Sequence, residues 1–176
     1  DRFDAADYRA FHDLGARGVR LTLIESRDAA INLPMFDGVI GAIADFGWSV
    51  TLHAMPEDLI RNSEWIRTIP IPVVIDHFGR FDVTAGLGQE GFAVYCDLLG
   101  EDHVWAKICC PERLSELHHP YDDVLPYVAA TLAAGSPDRL IWGTDWPHTQ
   151  RWRPGEMCDD GDLVDFVPVM VPDEDL

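Results

Sequence analysis

Five short apolar runs, separated by stretches of helical periodicity, constrain this chain more than any other feature. The runs cover residues 18–24, 48–53, 72–77, 104–109 and 140–142 and are rich in Val, Ile, Leu and Trp, as buried strands require. Between them, residues 4–14, 36–46, 57–69, 91–99 and 122–134 place apolar side chains at helical spacing. Four of these stretches run into a glycine, at Gly15, Gly47, Gly100 and Gly135, where a helix stop belongs. Helix and strand alternating five times predict βα units on a parallel sheet, an α/β fold. Strand-to-strand spacings of about 25 to 35 residues leave room for the crossovers such a sheet needs. No sequence repeat accompanies the alternation, so the repetition is architectural.

The second constraint is where the polar residues fall. Most of the runs deliver a polar group at the same end: His53, then Asp76-His77, then Cys109-Cys110 leading into Arg113, and Asp145 just past Leu140-Ile141-Trp142. Arg20 lies within the first run and Arg27 follows it. Gly143 breaks the last run and Pro147 prevents regular pairing beyond it, so Asp145 is held past a strand end with Trp142 and Trp146 beside it in sequence. In parallel barrels that end of the strands carries the active site. Each residue has a plainer reading. Asp145 can cap the next segment, a single histidine can be a satisfied polar contact, and Arg20 and Arg113 can pair with Glu25 and Glu112. Packing gives no reason for several strands in series to do the same thing, and the constellation therefore points to one cleft.

Charge and composition exclude several classes. The chain carries 31 acidic and 13 basic residues, for a formal charge of −18, and Lys107 is its single lysine. That balance argues against a nucleic-acid partner. It also means that an anionic ligand would be held by local arginines rather than drawn in by the overall field, which salt screens beyond about 8–10 Å. No apolar run approaches the roughly 20 residues of a membrane span. Cys96, Cys109, Cys110 and Cys158 show no CxxC or finger spacing, which argues against structural zinc and fits a reducing cytoplasm. Cys109-Cys110 read as small core residues. His118-His119 reads as a solvated pair, and residues 149–161 as a loop over the mouth of the cleft.

The segments Val74-Ile-Asp-His-Phe-Gly79, Val104-Trp-Ala-Lys107 with Pro111-Glu-Arg113, and Leu140-Ile-Trp-Gly-Thr-Asp-Trp-Pro-His148 together resemble the amidohydrolase-2 family of the amidohydrolase superfamily. Within it the pattern is most similar to the 2-pyrone-4,6-dicarboxylate lactonase group, as is Gly161-Asp-Leu-Val-Asp165. The resemblance implies a partial (β/α)8 TIM barrel made of its C-terminal five βα units, strands four to eight. A complete barrel takes about 250 residues and at least about 200. At 176 residues the chain is expected to be one domain, 1–176, cut from such a barrel at both ends and lacking the first strand's His-x-His.

The resemblance also implies roles. Asp145 would be the base that takes a proton from water, and His77 would polarise the lactone carbonyl. Arg20, Arg27 and Arg113 would grip substrate carboxylates, with His53 a substrate contact where the group carries tyrosine. The function implied is opening of a carboxylated small-molecule lactone in the catabolism of aromatic compounds, without a cofactor. Two alternatives stay open: a metal-dependent amidohydrolase or decarboxylase in which His77 and Asp145 help hold a divalent ion such as zinc, and a half-barrel without a working site.

Overall fold

The computed structural model describes residues 3–24, 31–149, 151, 153 and 157–171. Its first two helices begin where a side chain provides for the free backbone amides. Helix α1 (Ala5–Asp13) opens on a capping box, in which the Asp4 carboxylate accepts from the Ala6 and Asp7 amides and Asp7 accepts from the Asp4 amide. Helix α2 (Leu33–Ala44) is capped by the Asn32 side chain, which accepts from the Met35 amide. Gly15 and Gly47, beyond these helices, take φ of 102° and 66°, a backbone that favours glycine.

Helices α3 (Pro56–Thr68), α4 (Glu90–Leu99), α5 (Pro111–Leu114), α6 (Leu125–Ala134) and α7 (Asp160–Met170) complete the set. Gly100 and Gly135 also lie just past helices, but with negative φ of −69° and −107°, so those helices stop without a left-handed turn. The sequence reading did not foresee α5, a single turn started by Pro111. It also ran the mouth loop to Gly161, whereas α7 already begins at Asp160, capped by the Asp159 carboxylate.

The strands are β1 (Gly18–Thr22), β2 (Ser49–His53), β3 (Val73–Ile75), β4 (Val104–Lys107) and β5 (Leu140–Ile141). They pair in chain order, every pair parallel, into one sheet. This is the expected succession of five βα units. Because side chains alternate across a strand, the register sorts the residues into rows. Val50, Val73 and Val104 lie level, as do Leu52, Ile75 and Ala106, and all six are fully buried in the core with Ile43, Leu59, Ile66 and Leu98. The opposite parity carries Arg20, Thr51, Val74 and Trp105 in one row. One step further along lie Thr22 and His53, level with Asp76 and Lys107, at the carboxyl ends of the strands.

Candidate active site

That last row forms the floor of an open cleft of about 420 Å³, lined by Arg20, His53, Asp76, His77, Arg80, Lys107, Arg113, Asp145, Trp146, Pro147 and Thr149. Five of the six residues singled out in sequence therefore meet: Asp145, His77, Arg20, His53 and Arg113. Arg27 lies outside the described residues. His77 and Asp145 face one another from different strand ends, with Nε2 and Oδ1 4.0 Å apart.

Asp145 does not act as a helix cap. Its Oδ2 lies 3.1 Å from Arg113 Nη2, and no backbone amide among the described residues bonds its side chain. The Arg113 guanidinium also donates to the Thr149 carbonyl at 2.9 Å, which ties it to the segment carrying Asp145. Its Nε lies 3.4 Å from Oε1 of the buried Glu112, so the suggested Glu112 partner is real, though only one of three. Arg20 donates from Nε to Asp76 Oδ2 at 2.8 Å, while its suggested partner Glu25 lies outside the described residues. Lys107 Nζ lies 3.0 Å from the other oxygen of Asp76.

Asp76 is the hub that the sequence reading passed over. It is 2% exposed. Burial works to raise its carboxyl, but His77, Lys107 and Arg20 outweigh that and hold it below the usual carboxylate range. Strand parity could have found it, since Asp76 falls on the same face as Arg20 and His53. The same reasoning applies to Lys107. Arg80 carried no such signal, because a 3-10 turn with left-handed backbone at His77, Phe78, Gly79 and Arg80 brings it back to the cleft. Arg80 Nη1 lies 3.0 Å from His53 Nε2, so that nitrogen of a neutral ring accepts. Burial first, then the positive charges of Arg20 and Arg80, push His53 down to about 4.

His77 uses both faces of its ring. Nε2 looks into the cleft, 3.6 Å from Asp76 Oδ2 and 3.5 Å from Arg20 Nη2. Nδ1 lies 3.2 Å from the Sγ atoms of both Cys109 and Cys110. Burial opposes charge on His77, but the Cys109 contact and the carboxylates of Asp76 and Asp145 prevail and raise it. A hydrogen bond from Cys110 is the main cause that lowers the Cys109 thiol, to about 6. Both cysteines are buried, as small core residues would be, and both thiols also contact His77.

Trp142, beside Asp145 in sequence, turns elsewhere. It lines a separate apolar hollow with Ile108, Leu132 and Val167, away from the cleft. Trp146 stands on the rim, 75% exposed. His77, Arg80, Cys110, Asp145 and His148 all have φ between 52° and 66°. Such backbone is uncommon outside glycine and is typically held in place at functional sites.

A sequence model described as amidohydrolase matches residues 1–175. The chain belongs to the amidohydrolase family. Among its relatives, 4-sulfomuconolactone hydrolase of Rhizobium radiobacter is 38% identical over 160 residues, 90% of this chain and 53% of the relative. The 2-pyrone-4,6-dicarboxylate hydrolase of Comamonas testosteroni is 37% identical over 180 residues, 97% of this chain and 58% of the relative. A Pseudomonas putida structure described as a candidate 2-pyrone-4,6-dicarboxylic acid hydrolase superposes with a TM-score of 0.79 at 31% identity, covering 96% of this chain and 61% of that one. This amidohydrolase chain spans about half the length of the curated relatives it matches. Among the described residues no helix is long and apolar enough to cross a membrane.

Proposed function

We propose that the protein to which this chain belongs hydrolyses an anionic lactone, with Asp145 as general base and His77 as the group that stabilises the developing oxyanion. The observation that carries this reading is the opposition of Asp145 and His77 across 4.0 Å in a cleft ringed by Arg20, Arg80, Lys107 and Arg113. Asp145 takes a proton from water as the oxygen adds to the lactone carbonyl. The carbonyl oxygen becomes an oxyanion that accepts a hydrogen bond from His77 Nε2–H, in the tautomer whose hydrogen also faces Asp76 Oδ2. The ring C–O bond then breaks, and the proton held by Asp145 goes to the departing ring oxygen. The products are a hydroxyl and a carboxylic acid on one open chain, and the acid releases its proton to solvent to become a carboxylate. The cationic side chains match a substrate bearing further acidic groups, as the names 4-sulfomuconolactone and 2-pyrone-4,6-dicarboxylate describe for the relatives.

The cleft donors suit direct acid–base chemistry better than a metal ion at the strand ends. Both Asp76 oxygens face cations, at Arg20 and Lys107, and one oxygen of Asp145 faces Arg113. Four cationic side chains around the same space oppose a further positive charge. A cytoplasmic setting suits the four free cysteines.

The test uses the full-length protein and a carboxylated lactone in chelator-treated buffer. Wild type is expected to turn over there, and Asp145→Asn to lose about 10²-fold or more in kcat with little change in KM, since positioned bases contribute about 10²–10⁴. Near-normal kcat in Asp145→Asn would refute the assignment. Activity that vanishes on chelation and returns with zinc would make an ion necessary for turnover.

A further inference from the structure

Cys109 and Cys110 are neighbours in sequence, and neighbouring side chains in extended backbone point to opposite sides. Here they do not. Cys110 takes left-handed backbone, φ 66° and ψ 40°, and both thiols end on the same ring nitrogen, His77 Nδ1, at 3.2 Å each. The two sulfurs lie 3.7 Å apart. A single Nδ1 offers one hydrogen or one lone pair, so it can serve only one of the two thiols. The thiol hydrogen of Cys110 goes to the Cys109 sulfur instead, so three soft donor atoms converge on one point.

We propose that His77, Cys109 and Cys110 form a binding site for one thiophilic divalent ion of the zinc type, behind the floor of the cleft. With metal–sulfur bonds of about 2.3 Å and metal–nitrogen bonds of about 2.0–2.1 Å, a tetrahedral ion sets its sulfurs about 3.8 Å apart and sulfur from nitrogen about 3.5 Å. The observed edges of 3.7, 3.2 and 3.2 Å need only tenths of an ångström of adjustment. Two thiolates balance the charge of a divalent ion, which lets it sit near arginines that would repel it from the open cleft. Sulfur and imidazole donors select zinc-like ions over magnesium or calcium, which take oxygen. The fourth position is supplied by a cavity of about 210 Å³ that His77 and Cys110 line together with Met55, Arg80 and Arg113. The two arginines suit a small anion or hydroxide there.

An ion on Nδ1 would oblige Nε2 to carry the ring hydrogen toward the cleft, the tautomer needed to stabilise an oxyanion. That consequence rests on the function proposed above, whereas metal binding does not. The metal is therefore a positioning group for His77 and is not itself in contact with substrate.

Cobalt(II) added to the reduced, chelator-stripped full-length protein reads the site directly. One equivalent is expected to bind with a thiolate-to-cobalt charge-transfer band and tetrahedral d–d bands, and X-ray absorption on zinc-loaded wild type to count two sulfurs. The Cys109→Ser/Cys110→Ser double variant should bind at least about 100-fold more weakly, since even partners outside the ligand shell cost 10–100-fold. Cys158→Ser, in a separate grouping with Glu112 and His148, should keep the band. No charge-transfer band in wild type, one sulfur or none by absorption, or a band that survives the double variant would overturn the proposal. Wild type that shows the band but turns over no carboxylated lactone would remove the lactonase reading and leave the metal site standing.

Discussion

Arg113 is the residue at which binding and chemistry are hardest to separate. From sequence it is a carboxylate grip, and Arg113→Met should weaken substrate binding alone. In the structure the same guanidinium contacts Asp145 and anchors the Thr149 carbonyl. Arg113→Met is therefore expected to raise KM by about 10-fold or more, from a charge-assisted contact of roughly 1.5–3 kcal/mol. It should also lower kcat severalfold, because the segment carrying Asp145 loses a tie. Steady-state kinetics check this, and an unchanged kcat would return Arg113 to binding only. His53 makes a different prediction. Its pKa falls from the ordinary 6.5 to about 4 on folding, so between those values the unfolded chain takes up a proton that the native ring refuses. Stability should accordingly decline as pH falls through that window. Urea denaturation at pH 7, 6 and 5 measures the slope, and His53→Phe should flatten it. An equal slope in the variant would place the titrating group elsewhere.

At the scale of elements, close packing of α3 and α4 sets the layer beneath the sheet. Gly91, in the first turn of α4, faces the start of α3, where an added Cβ would lie 2.3 Å from Pro56 Cβ and 3.0 Å from its Cα. Neither helix can give way cheaply, since Leu59, Ile66, Phe92 and Tyr95 are buried between them and the sheet. Gly91→Ala is expected to destabilise by about 1–3 kcal/mol, the usual cost of overpacking. Gly41→Ala, on the exposed side of α2 with nothing within 4 Å, should instead gain roughly 0.5–1 kcal/mol from helix propensity. Chemical denaturation of the pair checks both signs, and a neutral Gly91→Ala would mean that the contact relaxes freely. The elements themselves were largely legible, because periodicity and helix stops are local. Single-turn α5 and the start of α7 were not, since a four-residue helix is too short for a period and α7 follows a polar stretch that resembles loop.

The whole molecule separates charge. Its sequence totals −18, yet the cleft collects Arg20, Arg80, Lys107 and Arg113 against Asp76 and Asp145. For an anionic lactone the local cations attract while the remaining surface repels, and salt screens both over about 8–10 Å. Because the cations are nearest the bound anion, kcat/KM is expected to fall as ionic strength rises from about 0.02 to about 0.5 M, a fewfold effect typical of local steering. A rise with salt would show the global repulsion dominating. This division was foreseen in sign, since few basic residues in an acidic chain must be placed deliberately to bind an anion. The sequence by itself determined the parallel βα succession, the end of the sheet where Asp145, His77 and His53 gather, and the family, because alternation, periodicity and motif order are carried along the chain. Tertiary structure decided which of those groups touch. Strand register brought Asp76 and Lys107 level with His53, and left-handed backbone at Arg80 and Cys110 turned a guanidinium and a second thiol onto the site. It also pointed Trp142 away from the cleft. Register and single-residue φ are set by contacts between segments far apart in sequence, and no local pattern encodes them.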